Sequence, residues 1–303
     1  MSGTTPTNLL AWFQQLKIHR KGGVFAPHKP LLLLSALASV QRGDGRLISY
    51  EELHPRLRQL LIEFGPPRKS IHPEYPFWRL QTDQGSFWQV PERDLALRAI
   101  GPRPRQGDIP PRILMSVGAR GGFTEEVYEL LRNDPKLVNR LCATLLQDHF
   151  APSCHESILD AVGMPWIPDR SFATRRSPEF RADLIRLYEH SCAVCGFDGR
   201  LESANLALEA AHIQWHAQGG PDTPSNGLLL CSLHHTALDR GAIGITEDRR
   251  VMVSQHVYGG PRVTDFLTSF SGDPLRRPLD SSLAPAVRFI SWHRKQVFRG
   301  APR

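Results

Sequence analysis

Three cysteines and a histidine in the C-terminal half have the types and spacing of a metal site. Two residues separate Cys192 from Cys195, and two separate Cys231 from His234. Each such pair can form a tight turn that brings both ligands to one ion, and a Cys₃His set matches a tetrahedral zinc site. Because four protein ligands leave no position for a substrate, we expect a structural Zn²⁺ that stabilises a small fold.

A second group of polar residues lies among the zinc pairs. His212 ends a predicted strand that also contains Glu209, and Asn226 begins the next strand. His235 lies on a predicted helix, with Asp239 one turn later. Phosphodiester hydrolysis needs a base that activates water, a metal ion that neutralises charge on the phosphate, and a group that holds the base. These residue types suit that chemistry.

The order of these residues, together with the enclosing zinc pairs, resembles the HNH nuclease motif. That motif is a ββα-metal finger that hydrolyses phosphodiester bonds with one divalent metal, and the resemblance covers roughly residues 190–245. It implies that His212 is the general base, and that Asn226 orients its imidazole and holds the loop. It also implies that His235 is a ligand of the catalytic ion, for which both Mg²⁺ and Mn²⁺ are suitable.

The sequence departs from the commonest form of the motif at Ala211, where many HNH sites have Asp as the first metal ligand. Glu209 lies two residues earlier, on the same face of the predicted strand. Asp239 lies on the same helical face as His235 and could reach the same ion. We expect one of these two carboxylates to complete the catalytic metal site, and at this point both remain open.

Two strings in the N-terminal half are candidates for target recognition. Residues 26–34, Ala-Pro-His-Lys-Pro-Leu-Leu-Leu-Leu, place His28 and Lys29 at the start of a predicted helix. Free backbone N–H groups and the helix dipole favour an anion there. Residues 72–80, His-Pro-Glu-Tyr-Pro-Phe-Trp-Arg-Leu, provide a mainly apolar surface with an arginine beside it.

These strings resemble the sulfur-binding domain of type IV restriction endonucleases that act on phosphorothioated DNA. The resemblance implies a shallow apolar cavity for the backbone sulfur, with Tyr75 and Pro76 in its wall. Apolar walls favour sulfur because it is larger and a poorer hydrogen-bond acceptor than the well-hydrated oxygen it replaces. The positions implied in sulfur or DNA binding are His28, Lys29, Tyr75, Pro76, Arg79, Arg103 and Arg105.

The remaining pattern predicts an α+β protein with two domains. Residues 1–150 form a mainly helical DNA-recognition domain with a small sheet, including a β-hairpin over residues 76–90. Residues 151–178 are rich in Pro, Ser and Arg and form a linker. Residues 179–303 contain the zinc-stabilised HNH domain and a C-terminal extension.

Composition narrows the class of protein. The chain has 303 residues and a formal net charge of +7, which suits a polyanionic partner such as nucleic acid. Its five cysteines are an odd number, which argues against a disulfide framework. No apolar run is long enough to span a membrane, and the first residues lack the order of a signal peptide, so we expect a cytoplasmic protein.

We therefore expect a restriction endonuclease that binds double-stranded DNA carrying backbone phosphorothioate and cuts nearby. Because both strands must be cut, we expect a homodimer. Two other functions remain open from the sequence. The first is an HNH nuclease directed to methylated or otherwise modified bases, with the aromatic residues near 75–78 lining a pocket for a flipped base. The second is a non-catalytic DNA-binding regulator in which the HNH fold is only a zinc-held scaffold.

Overall fold

The chain forms two compact units. The structure, a computed structural model, describes residues 4–18, 25–101, 108–164 and 177–303. Unit 1 contains the described residues up to 149 together with 155–164, and unit 2 contains 150–154 and 177–303. Among the described residues, no helix has both the length and the apolar character needed to cross a lipid bilayer.

Unit 1 is mainly helical. The helices in its described part are α1 (Pro6–Gln14), α2 (His28–Arg42), α3 (Tyr50–Phe64), α4 (Glu74–Arg79), α5 (Arg93–Ile100), α6 (Pro111–Ser116), α7 (Glu125–Asn133), α8 (Pro135–His149) and α9 (His155–Val162). Helix α2 packs against α3, α4, α7, α8 and α9. Its residues 31–34, all leucine, are fully buried, as expected of a helix that is apolar on every side.

A small antiparallel sheet completes unit 1. Its strands are β1 (Leu47–Ser49), β2 (Trp88–Gln89) and β3 (Arg120–Phe123). They lie in the order β1–β3–β2, with Trp88 opposite Phe123. Gly121 in the central strand lies against the rings of Phe77 and Trp88, where a Cβ atom would clash at 2.5–3.0 Å. Helices and small antiparallel sheets together confirm the predicted α+β class.

The predicted β-hairpin over residues 76–90 is wrong, because its first half is helix α4. Pro76, Phe77 and Trp78 are all buried, whereas a strand with one solvent face alternates buried and exposed side chains. Pro76 lies in the first turn of α4, where its missing N–H costs no helical hydrogen bond. The Trp88 indole then donates a hydrogen bond of 3.0 Å to the carbonyl oxygen of Phe77.

The predicted linker over residues 151–178 contains regular structure. Residues 152–154 form a turn of 3₁₀ helix, and α9 follows immediately. Helix α9 packs against α2 and α3 within unit 1. Residues 165–176 lie outside the described part of the chain.

Unit 2 is built around a hairpin covered by helices. Its described helices are α10 (Pro178–Leu187), α11 (Ser232–Asp239), α12 (Pro261–Phe266) and α13 (Val287–Gln296). Its strands pair as β4 (Arg200–Leu201) with β5 (Ala204–Asn205), β6 (Leu208–His212) with β7 (Gly227–Cys231), and β8 (Ile243–Ile245) with β9 (Val251–Val253). Both α10 and α11 pack against β6 and β7. Strands β6 and β7 with α11 are the predicted ββα arrangement.

Lys29 and Asp83 form an ion pair in the interior of unit 1. The ammonium of Lys29 donates to Asp83 Oδ1 at 2.6 Å and Oδ2 at 2.8 Å, and to the carbonyl oxygen of Lys17 at 2.8 Å. The two side chains of the pair are only 11% and 2% exposed. Burial lowers the pKa of Lys29, although the contacts with Asp83 oppose this. Lys29 stays a predicted DNA contact, and in this structure its charge is partnered with Asp83.

Replacement of Asp83 by Ala leaves a buried ammonium without its carboxylate. We expect the free energy of unfolding to fall by about 3–5 kcal/mol, as for other buried pairs that lose one partner. The double variant K29M/D83A removes both charges, so urea unfolding should show it to be more stable than D83A. Additive losses in the double variant would contradict a buried, mutually dependent pair.

Candidate functional site

The Cys/His cluster in unit 2 joins three elements. Cys192 and Cys195 lie in the turn after α10, and Cys231 and His234 lie where β7 meets α11. Their ligand atoms all lie within 4.8 Å of one another. His234 Nδ1 is 3.1 Å from the Cys231 sulfur and 3.7 Å from the Cys192 sulfur. A tetrahedral ion with Zn–S bonds of about 2.3 Å separates its sulfur ligands by about 3.8 Å, so this cluster could bind zinc.

Ionisation of the thiols in the cluster is coupled. The neighbouring thiols of Cys195 and Cys231 lower the pKa of Cys192, whereas those of Cys192 and Cys231 raise the pKa of Cys195. A thiolate, not a thiol, is the ligand that a metal requires. Cys192 is therefore the thiol of this group that ionises most readily.

His235 lies between two carboxylates. Its Nδ1 is 2.5 Å from Glu209 Oε2, and its Nε2 is 3.2 Å from Asp239 Oδ2. Glu209 also accepts a hydrogen bond of 2.7 Å from the Ser232 hydroxyl. The Glu209 side chain is 39% exposed, whereas that of Asp239 is 3% exposed. The two carboxylates that the sequence left as alternatives thus contact opposite nitrogens of one imidazole.

Asp239 is a buried, ionised carboxylate. Burial by itself would raise its pKa, but the charge and hydrogen bond of His235, with a hydrogen bond from Ser153, hold the pKa below its ordinary value. The Ser153 hydroxyl donates to Asp239 Oδ2 at 2.5 Å. A carboxylate that accepts Nε2–H of His235 directs the other nitrogen of that ring towards Glu209.

His212 has a carboxylate partner of its own. It ends β6, stacks on the ring of Phe180 with centroids 4.4 Å apart, and has Nε2 at 2.7 Å from Asp222 Oδ1. When Nε2–H donates to Asp222, the lone pair of the neutral imidazole is on Nδ1. The sequence prediction did not include Asp222. Its place at the end of the Gly-Gly-Pro-Asp turn shortly after His212 is the one signal that could have indicated it.

Asn226 fastens the loop that follows His212. Its Nδ2 donates to the carbonyl oxygens of Gln214 at 3.0 Å and Pro221 at 3.1 Å, and its Oδ1 accepts from the Gln214 N–H at 2.9 Å. The residue is fully buried. At Gly220, an added Cβ would lie 1.8 Å from the Gln214 carbonyl oxygen, so the loop can close around the amide only with glycine there.

The predicted anion-binding end of α2 lies in a group of basic side chains. His28 begins the helix, and its pKa is lowered to about 4 by burial and by the charges of Arg68, His72 and Arg79. The imidazole is therefore neutral at pH 7. The sequence prediction did not include Arg68 or His72. A basic Arg-Lys pair after the prolines at 66 and 67 is the signal that could have indicated Arg68.

Two side chains pack against the ring of Tyr75. The His72 imidazole stacks on it at 4.4 Å, and the Arg79 guanidinium lies 4.5 Å from its centroid. Both groups lie against the ring, which remains partly exposed. Arg79 Nε also donates to Asp108 at 2.7 Å, so its charge is already partnered. The predicted wall residue Pro76 is buried.

The remaining two predicted DNA contacts, Arg103 and Arg105, lie outside the described residues.

Comparison with known families matches both halves of the chain. Residues 6–166 match the model of the ScoMcrA-like DNA sulfur-binding domain, which is more than half of the chain. Residues 192–246 match the model of the HNH endonuclease. A comparison with curated proteins found no match.

Several solved structures are similar to part of the chain. The sulfur-binding domain of ScoMcrA complexed with phosphorothioated DNA is 20% identical, covers 51% of this chain and 94% of that chain, and has a TM-score of 0.43. The type IV phosphorothioation-dependent restriction endonuclease ScoMcrA is also 20% identical with a TM-score of 0.43, and the match covers 54% of this chain and 28% of that chain. The modification-dependent TagI restriction endonuclease is 24% identical, with 43% of each chain covered and a TM-score of 0.31. At these identities and TM-scores, the likenesses do not support the assignment of individual residues.

Proposed function

The chain belongs to the family of the ScoMcrA-like DNA sulfur-binding domain, and we propose that it is a restriction endonuclease that cuts near phosphorothioates in double-stranded DNA. One chain joins this sulfur-binding domain to an HNH endonuclease domain. The observation that carries the proposal is this pairing, with the histidines and asparagine of the HNH motif all present in the second domain. Residues 1–150 would recognise the target, and residues 179–303 would cut it.

His212 is the general base of the proposed reaction. Its Nδ1 accepts a proton from the attacking water, while the Asp222 carboxylate at 2.7 Å stabilises the imidazolium that forms. Asn226 does not need to contact substrate, because its hydrogen bonds to Gln214 and Pro221 hold the loop beside His212. Asn226 is therefore proposed as a positioning residue. The sequence analysis predicted the same role, that of holding the loop.

Glu209 and His235 Nδ1 are the proposed ligands of the catalytic ion. His235 Nδ1 and Glu209 Oε2 lie 2.5 Å apart, so both side chains can contact one cation. A bound Mg²⁺ or Mn²⁺ supplies positive charge that neutralises the phosphate and the leaving oxygen. Asp239 is buried on the other nitrogen and orients His235, so it is a positioning residue.

The sulfur-binding surface is proposed to lie around Tyr75 and His28. The partly exposed ring of Tyr75 and the neutral His28 imidazole offer sulfur a weakly polar contact. Arg68 is exposed and close enough to His28 to lower its pKa, so it can hold a flanking phosphate. Arg103 and Arg105 remain proposed contacts to phosphates or bases.

Three further proposals concern the whole protein. Zinc is the ion proposed for the Cys192, Cys195, Cys231 and His234 cluster, because three thiolates and an imidazole in tetrahedral reach are its preferred ligands. A homodimer is proposed because one HNH site cuts one strand at a time. A cytoplasmic location is proposed because the substrate is DNA.

Cleavage of one plasmid, prepared with and without backbone phosphorothioate, tests the proposed function. In Mn²⁺ or Mg²⁺, wild-type protein should cut only the sulfur-containing plasmid, and His212→Ala should cut neither while still binding the former. Equal cutting of both plasmids would exclude sulfur recognition. Binding without cutting by the wild type would favour the DNA-binding regulator.

The two carboxylates on His235 should differ in their effect on metal dependence. Glu209→Ala should raise the Mn²⁺ concentration for half-maximal cleavage at least tenfold, because a direct ligand is lost. Asp239→Asn keeps an acceptor for Nε2–H and should leave that concentration within about threefold. It should lower the maximal rate, since the loss of a residue that orients a metal ligand costs roughly 10–100-fold. The opposite pattern would assign the ion to Asp239.

Removal of zinc should lower the stability of unit 2, which contains the Cys/His cluster. Elemental analysis should give one zinc per wild-type chain and much less for Cys231→Ser. Because a structural zinc contributes folding energy directly, a chelator should lower the melting temperature of wild type but change that of Cys231→Ser little. A Cys142→Ser variant, which changes a buried cysteine of unit 1, should retain its zinc. Zinc-free wild-type protein of unchanged stability would contradict the assignment.

A further inference from the structure

A groove lined by arginines lies in unit 2, in the C-terminal extension beyond the matched HNH residues. It has a volume of about 280 Å³ and is formed by residues 248–250, 274–278, 281, 284 and 285. Its arginines are Arg249, Arg250, Arg276 and Arg277, all exposed, against one acidic lining residue, Asp248. We propose that this groove binds the phosphodiester backbone of the DNA substrate and gives the nuclease unit its own sequence-independent affinity for DNA.

The local backbone brings the two arginine pairs together. Arg249 and Arg250 end the turn between β8 and β9, while Arg276 and Arg277 belong to a separate segment. A bridge between Arg250 and Pro274 and a hydrogen bond of 2.9 Å from Leu275 N–H to the Arg249 carbonyl oxygen join the two segments. The backbone pairing therefore brings both arginine pairs to the lining of one groove, and guanidinium groups are well suited to contact phosphate.

Arg249 occupies its position at a conformational cost. Its φ is 61°, in the left-handed region that favours glycine. Its Nε donates to the carbonyl oxygen of Pro285 at 3.1 Å, which directs the guanidinium into the groove. Glycine would adopt this backbone conformation without strain. What arginine adds at this position is its guanidinium side chain.

One wall of the groove is joined by a hydrogen bond to the loop that follows the proposed general base. Pro285 forms part of its wall, and the next residue, Ala286, donates its N–H to the Ser225 carbonyl oxygen at 2.9 Å. Ser225 directly precedes Asn226, which fastens the loop after His212. A DNA backbone held in the groove therefore lies beside the segment that positions the general base.

The existing ion pairs leave charge available for a ligand. Arg250 is shared between Asp248 at 3.1 Å and the carbonyl oxygen of Gly272, and Arg276 faces Glu189 at 2.8 Å. These partners are more than half exposed, so water screens them and a phosphate can compete. Arg277 has no hydrogen-bond or ion-pair partner among the described residues.

The test measures how the DNA affinity of the full chain depends on salt. It uses the His212→Ala background to prevent cleavage, and two duplexes of one sequence, with and without phosphorothioate. The groove variant R249G/R277Q should bind both duplexes with a slope of log K against log salt reduced by about 2, since each lost phosphate contact changes it by roughly 0.9. The control R262Q removes an exposed arginine paired with Asp265, outside the groove, and should keep the wild-type slope.

Two outcomes would contradict DNA binding by the groove. The first is wild-type affinity of R249G/R277Q for both duplexes. The second is an equal loss of affinity in R262Q, which would indicate a general effect of charge. A lower melting temperature of the double variant would indicate misfolding, so R277Q alone, which removes no hydrogen bond or ion pair among the described residues, should melt as the wild type does and still bind less tightly.

The proposal rests on the proposed function, and the two duplexes separate their failures. If wild type shows no preference for phosphorothioate, sulfur recognition fails, while the slope on the unmodified duplex still decides the groove. If the preference is present and the groove variant keeps the wild-type slope of log K against log salt, only the proposal of DNA binding by the groove is wrong.

Discussion

The β6–β7 hairpin has only five residue pairs, and a two-stranded ribbon of that size is not stable in water on its own. It must nevertheless hold His212 and Glu209 in place. Polar contacts hold it at each end. At the His212–Gly227 end, Asn226 binds the loop, and at the Leu208–Cys231 end, the Cys/His cluster joins the ribbon to the turn after α10. The nuclease site depends on both fastenings.

Helix α11 explains how two neighbouring histidines serve two sites. Successive residues of an α-helix point about 100° apart, so His234 faces the three cysteines while His235 faces Glu209 and Asp239. The helix has only two turns, and it starts directly after Cys231. Any change in the cluster therefore moves the first turn of the helix and with it the proposed ligand of the catalytic ion. Stability and metal dependence of cleavage are coupled in this design.

Much of unit 2 could be predicted from the sequence, because its motif residues act through local backbone geometry. A strand ending at His212, a second strand from Gly227 and a helix carrying His235 all follow from residue types and spacing. The proposed choice of Glu209 over Asp239 as the metal ligand could not be made from the sequence, since it rests on the burial of the two side chains. Ser153, 86 residues before Asp239 in the chain, supplies part of that environment.

Unit 1 was less predictable because distant contacts decide its local structure. Phe77 looked like part of a strand, but it packs against Tyr50 with ring centroids 4.8 Å apart, and α4 satisfies that burial. Lys29 is a predicted DNA contact, and its partner Asp83 lies 54 residues later. Asp222 is near His212 in sequence and its Gly-Gly-Pro-Asp turn is evident, but residue types do not show that this turn directs the carboxylate to the imidazole. Pattern alone identifies a charged group more easily than its partner.

The two proposed DNA surfaces contribute to binding in different ways. Arginines in the unit 2 groove attract phosphates whether or not an oxygen is replaced by sulfur, so they strengthen binding to modified and unmodified DNA alike. Discrimination is a difference between two affinities, and only a contact that distinguishes sulfur from oxygen can produce it. The ring of Tyr75 is proposed to be of that kind, because an aromatic ring repays little of the hydration that an oxygen anion loses. A stronger groove would therefore increase cutting of unmodified DNA unless the surface around Tyr75 still limited where the nuclease unit engages.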